Sequence, residues 1–252
     1  MKKIKQLRGM HIVSILALSL MSFVSCTTDF PTEIQPNSEK EISTEAISRI
    51  AANYPENPEN PYDIVGQLSV MILDDYLDLE MGTSTSQSLI NQIEGFAQLR
   101  LEYQQLVPID YFPPLPTTID RIILIDPSDT LAIAKLSEYS MQARGSLIKI
   151  IDSLLVFQEL QKEEVEIMEF IYNYESSILS NGTFSVLDKK MLLTTTSIAR
   201  HGLYYAKRRP RRKRDRDWEI SWGNMYAAAA GSKDNTAKAL IMAVTVGILS
   251  NI

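Results

Sequence analysis

The residues best equipped for chemistry fall into three groups. The densest is KRRPRRKRDR, where Lys207, Arg208, Arg209, Arg211, Arg212, Lys213, Arg214 and Arg216 place eight basic side chains within ten residues. Pro210 prevents a continuous helix through the run, and like charges repel, so an exposed segment is expected. Arginine forks pair with phosphate and carboxylate groups, so the chemistry is polyanion recognition; an exposed Arg-rich segment is equally a substrate for an Arg-specific protease. The second group is DDYLDLE, with Asp74, Asp75, Asp78 and Glu80. Asp74 and Asp78 sit one helical turn apart, but the spacing is not that of a calcium loop, and a solvated helix face is expected. Glu163, Glu166 and Glu169 form a similar outer stripe. The third is His201, the one histidine beyond the N-terminal segment, expected at the surface or at a helix cap. With one cysteine in the whole chain and no second nearby histidine, a zinc site lacks ligands. Neither a phosphate-binding glycine loop nor a G-x-S-x-G turn occurs. No catalytic residue, metal ligand or cofactor is assigned, and a non-enzymatic protein is expected.

These residues must be placed in a compartment before their partners can be named. Lys2, Lys3, Lys5 and Arg8 precede an uncharged apolar stretch from Ile12 to Val24. The stretch falls short of the roughly 20 apolar residues a span requires and reads as a secretory signal. It ends at Phe23-Val24-Ser25-Cys26, which resembles a bacterial lipobox of the looser Bacteroidetes type, with Phe23 in place of the usual leucine. The resemblance covers the signal segment alone. It implies cleavage before Cys26, diacylglycerol and palmitate-type acyl chains on that residue, and an anchored protein of the cell envelope. Lipidation also accounts for a lone thiol in an exported chain, where free thiols oxidise. Several acyl chains, at about 0.8 kcal/mol per buried methylene, make a stable anchor. Thr27 at the second mature position implies outer-membrane delivery, facing either the periplasm or the surface. Asp129-Thr130-Leu131 and Asp152-Ser153-Leu154 resemble short Bacteroidetes O-glycosylation motifs; the first implies Thr130 as an acceptor, whereas Asp152 is expected in a buried helix.

Charge divides the chain. The net charge is −6 overall. Residues 27–206 hold 27 acids and 11 basics, whereas residues 207–252 hold 10 basics and 4 acids. Such asymmetry implies two parts with different roles, or one part docked on the other. In an exported protein the basic run meets anionic lipid, lipopolysaccharide, acidic polysaccharide or an acidic protein, not nucleic acid.

The remaining sequence is helical in pattern. Five segments are expected: 62–81, 86–107, a long helix opened by DPSDT and running to Leu155, 162–179, and 184–206, the last weakened by Thr194–Thr196. A short helix is expected at 44–53, capped by Ser43, before the proline-rich YPENPENPYD. RIILI reads as a short strand, and Gly182 as a left-handed helix end. Trp218, Trp222 and Tyr226 follow the basic run and suit a membrane interface. Gly223, Ala227 and Gly231, then Ala239, Ala243 and Gly247, repeat every four residues and permit close backbone approach in a helical hairpin, which either packs onto the bundle as its last two helices or forms a membrane-active segment.

The expected organisation is a signal peptide (1–25), a lipid-anchored tether (26–62), an acidic bundle (63–206), a basic loop (207–217) and a C-terminal hairpin (218–252). The fold class is an all-α bundle of about five to seven helices with proline-rich connections. Two functions follow: an envelope interaction protein whose basic loop contacts a polyanion or acidic partner, or a precursor cut in that loop to release a membrane-active peptide of about 36 residues.

Overall fold

Helical periodicity is satisfied throughout. In the computed structural model, which describes residues 55–79, 85–126, 131–208 and 222–250, every regular element is an α-helix. In chain order these are α1 (Asp63–Asp78), α2 (Ser86–Gln98), α3 (Leu101–Leu106), α4 (Pro116–Ile123), α5 (Leu131–Ala134), α6 (Met141–Glu159), α7 (Glu164–Ser180), α8 (Val186–Arg208), α9 (Trp222–Ser232) and α10 (Thr236–Ser250). The described residues belong to one compact unit, an all-α bundle. No helix among them is long and apolar enough to cross a membrane.

The amphipathic helices form an outer layer around a hydrophobic centre. α1 buries Val65, Leu68, Ile72 and Tyr76, α2 buries Leu89, Ile90 and Ile93, and α6 buries Leu147, Ile150, Ile151 and Leu154. The centre is built from the later part of the chain. α8 is buried on every side from Met191 to His201, and α10 from Ala239 to Ile248. Small residues allow this crowding. A Cβ on Gly231 would stand 2.6 Å from Ala239 Cα, so the α9–α10 hairpin meets backbone to backbone beside its turn, and larger residues would force the helices apart. Asn235 caps α10, its Oδ1 accepting from Lys238 N at 2.7 Å. Of the two expectations for the hairpin, packing onto the bundle is the one found, and it forms much of the interior. Trp222 and Tyr226, expected at a membrane interface, stack on each other at 4.9 Å and are buried in the core.

Several elements differ from their sequence reading. RIILI is the end of α4 and the turn that follows it, not a strand. Pro116 stands in the first turn of α4, where a fixed φ and a missing N–H cost nothing, and Ile119 and Ile122 then fall one turn apart on the buried side. The segment 86–107 is two helices, because Arg100 is extended (φ −102, ψ 122) and pairs with Asp75 at 2.5 Å instead of lending its stem to an apolar stripe. The long helix expected from DPSDT is interrupted between Ala134 and Met141. Ser140 caps α6 with its Oγ on Ala143 N, 3.1 Å, while its own N–H donates to Asp188 of α8 at 2.9 Å. Asp188 also exchanges hydrogen bonds with Ser185, at 3.1 Å to Ser185 N and 3.0 Å back to Ser185 Oγ, a reciprocal cap that ties the starts of α6 and α8 together. Gly182 has no left-handed backbone; Gln161, φ 50, takes that conformation after α6, with Lys162 N closing on Phe157 O at 2.9 Å.

Residues 55–62, expected within the tether, lie against the bundle, with Asn57 and Asn60 only 6% and 3% exposed. The helix expected at 44–53 lies outside the described residues.

Candidate functional site

The sequence concentrates polar residues where the fold buries them. α8 carries Thr194, Thr195, Thr196, Ser197, Arg200 and His201 through its all-round buried stretch. A buried charge must be paired and hydrogen-bonded, and the partners come from three other segments. α7 supplies Glu175, which is sealed from solvent. It stands on the apolar stripe of Met168, Ile171 and Ile178, where the pattern calls for an aliphatic residue. α1 supplies Asp63, and the PENPEN segment supplies Asn57 and Asn60.

Each PEN repeat does the same work. Asn57 Oδ1 accepts from Glu59 N at 3.2 Å, and Asn60 Oδ1 accepts from Tyr62 N at 2.9 Å; both are local turns closed by the side chain. The amides that remain point inward. Asn57 Nδ2 donates to Glu175 Oε2 at 2.6 Å, and Asn60 Nδ2 to Glu175 Oε1 at 2.9 Å. Thr196 Oγ1 lies 2.8 Å from the same Oε1. Arg200 Nη2 completes the shell at 3.3 Å from Oε2. The two residues of the repeat thus hold one carboxylate from both oxygens.

Arg200 is shared. Its Nη2 also pairs with Asp63 Oδ1, its Nη1 donates to the carbonyl of Pro55, and the guanidinium lies 5.2 Å from the centre of the Tyr172 ring. Tyr172 in turn donates to Glu56 O at 2.8 Å. His201 Nε2 lies 3.2 Å from Asp63 Oδ1, so its N–H donates there. Burial works to raise the Asp63 carboxyl, but the His201 hydrogen bond and the Arg200 charge outweigh it and hold the group below its usual range.

Backbone contact makes this possible. A Cβ on Gly66 would stand 2.4 Å from Ser197 O, so α1 and α8 cross in direct contact. Ser197 Oγ donates to Asp63 O at 2.9 Å and accepts from Gly66 N at 3.1 Å.

The Glu175 carboxylate is fully met, although Arg200 Nε has no hydrogen-bond partner among the described residues. Every carboxylate oxygen of Glu175 faces a donor, and a guanidinium occupies the place a cation would take. Among the described residues no group of three or more His, Cys, Asp or Glu is arranged to hold a metal ion. What the cluster fixes is the segment from Pro55 to Asp63.

His201, expected at the surface or a cap, is therefore buried, 4% exposed, and paired. The acidic stripe of α1 behaves as a helix face: Asp74 accepts from Tyr205, and Asp75 pairs with Arg100. Glu80, Thr130, Trp218 and Cys26 lie outside the described residues, as does the basic run, save that the α8 backbone extends through Lys207 and Arg208. Asp152, expected in a buried position, is exposed, with Ser153 half-buried beside it. Glu175 and Arg200 were not singled out by their spacing, although a carboxylate on an apolar stripe is a signal that asks for a buried partner. Compared with protein-family models, with curated proteins and with solved structures, the chain matches none.

Proposed function

We propose that the chain is a non-enzymatic lipoprotein of the cell envelope. Acyl chains on Cys26 hold it at the outer membrane, and Lys207–Arg216 contact an envelope polyanion or an acidic protein. The observation that carries this reading is the placement of the run's flanks. α8 ends at Arg208 and α9 begins at Trp222, and both helices are built into one core. The run joins these two helices and carries eight cations within ten residues, and clustered cations of one sign attract polyanions and speed their capture. The acidic body, with 27 acids against 11 basics in residues 27–206, leaves the run as the concentrated source of positive charge.

The second reading, release of a C-terminal peptide by cleavage in the run, is favoured by the charge switch alone. Burial of Ala227, Ala228, Ala229, Ile241 and Val246 at 0% exposure weighs against it, because release would require the centre of the bundle to be unmade.

The test is binding of the mature chain to lipopolysaccharide and to an acidic polysaccharide across a salt series. The expected result is salt-dependent binding that weakens, with a flatter salt dependence, when Arg208, Arg209, Arg211, Arg212, Arg214 and Arg216 are changed to Gln. Unchanged binding by that variant would overturn the proposal.

A further inference from the structure

α4, α9, α10 and the turn between α5 and α6 enclose a groove of about 560 Å³, within the roughly 300–1,000 Å³ typical of small-ligand sites. Its floor is apolar. Ile122, Leu136, Tyr226 and Met242 line it, and the small side chain of Ala230 leaves room along α9. Leu115 also lines it while remaining 65% exposed, so this aliphatic side chain gains little from folding and is available to a ligand.

The banks are charged, and unequally so. Among the lining residues Lys233 pairs with Glu138 at 3.1 Å and Lys238 with Asp234 at 2.6 Å. Those charges cancel locally. Arg121 and Lys135 also line the groove, and among the described residues neither forms an ion pair; Arg121 donates its Nε to the carbonyl of Thr117 at 3.3 Å. Among the described residues, a groove with an apolar floor therefore carries two cations outside any ion pair, in a body that is otherwise rich in acids.

We propose that this groove binds an anionic amphiphile. Its acyl-type chain lies along Ile122, Leu136, Tyr226 and Met242, and its carboxylate or phosphate head sits between Arg121 and Lys135. The two halves of the site select together. A neutral amphiphile covers the floor but leaves the cations unmatched. A small anion matches the cations but leaves the floor wet. The head group's charge-assisted bonds are the stronger directional contribution, and the floor supplies the apolar burial. The source is a free fatty acid or lysolipid, or a lipid drawn from an anionic bilayer. This site is separate from the basic run and does not depend on the function proposed for it.

The test is calorimetric titration of residues 26–252 carrying Cys26→Ser, so that no acyl chain contributes, with dispersed palmitate and with dodecyl maltoside as the neutral comparison, and sedimentation of the same chain, with Lys207–Arg216 neutralised, with phosphatidylglycerol and phosphatidylcholine vesicles. The expected result is one palmitate bound per chain, at least about tenfold weaker binding in Arg121→Gln/Lys135→Gln, as expected for loss of charge-assisted bonds, and no comparable binding of dodecyl maltoside. Ala230→Trp, which fills the groove without touching a charge, should abolish palmitate binding while the circular dichroism spectrum stays helical. Sedimentation with phosphatidylglycerol alone, lost in the double variant, assigns the ligand to the bilayer; palmitate binding without sedimentation assigns a free amphiphile. Neither palmitate nor vesicle binding, or binding unchanged in both variants, overturns the proposal. Neutralising Lys207–Arg216 should leave palmitate binding unchanged, which separates this outcome from failure of the envelope-polyanion reading.

Discussion

Arg200 and Glu175 form an ion pair at 3.3 Å in which both side chains are wholly sealed from water. Around them the two asparagines of the PEN repeat, Thr196 and Asp63 supply the remaining partners. Removing one member of such a pair leaves the other charge buried and unmatched, at a cost of about 3–5 kcal/mol. Glu175→Ala is therefore expected to lower the urea midpoint sharply, and Asn57→Ala/Asn60→Ala to lower it by less, since two neutral donors are lost while the ion pair stays. Equal stability of Glu175→Ala and the parent would show that the pair does not form in solution.

Glycine substitutions should separate contact from propensity. Alanine favours a helix over glycine by about 1 kcal/mol. Gly95 is exposed on α2 with nothing within 4 Å of a Cβ, so Gly95→Ala should raise stability by up to that amount. Gly66 faces Ser197 O at 2.4 Å, and Gly66→Ala should instead destabilise by about 1–3 kcal/mol through overpacking. Denaturant titration of the two variants reads opposite signs if α1 and α8 cross as described.

Acid should loosen the bundle through Asp63. Its folded carboxyl is held below the unfolded value near 3.9, despite burial, by His201 and Arg200. The unfolded chain then binds more protons in that range, so the stabilisation is complete above about pH 4 and is lost as pH falls through the folded value. Asp188, held low against its own burial by Ser140 and Ser185, acts in the same direction. Glu94 acts in the opposite one: burial raises it, so its contribution falls as pH rises from its unfolded value to its folded one. Urea midpoints between pH 2 and 6 should show a steep acid limb that Asp63→Asn flattens.

Cleavage within the basic run should not release the tail. α9 and α10 lie at the centre of the core, so a chain nicked by an Arg-specific protease between Lys207 and Arg216 is expected to elute as one particle under native conditions and to separate into two pieces in denaturant. Native release of the C-terminal piece would favour the precursor reading.

Most helices were legible because one face of each is apolar at three- and four-residue spacing. α1, α7 and α8 begin and end within a few residues of their expected bounds. The errors have particular causes. RIILI is β-branched and short, and nothing in five residues distinguishes a strand from a helix turn; Pro116, four residues before Asp120, held the answer. The break before α6 was hidden because Leu136 and Tyr139 keep helical spacing and are buried although their backbone is a turn. What interrupts the helix is Ser140 and its contact with Asp188, 48 residues away. The polar cluster was hidden for the same reason: His201 reads singly as a surface or cap residue, Glu175 on its apolar stripe names no partner, and only the fold brings them with Arg200 to the PEN repeat. The repeat itself was visible, but three residues carry no period until the carboxylate they share is known.

The anchor is the central claim, since the partner proposed for the basic run follows from residence in the envelope. The most direct measurement is intact mass spectrometry of the native protein from envelope and medium fractions. The account predicts one species in the envelope fraction, beginning at Cys26, carrying acyl chains and running unbroken to Ile252. An unmodified chain in the medium, or an envelope species that retains the first 25 residues, would contradict it.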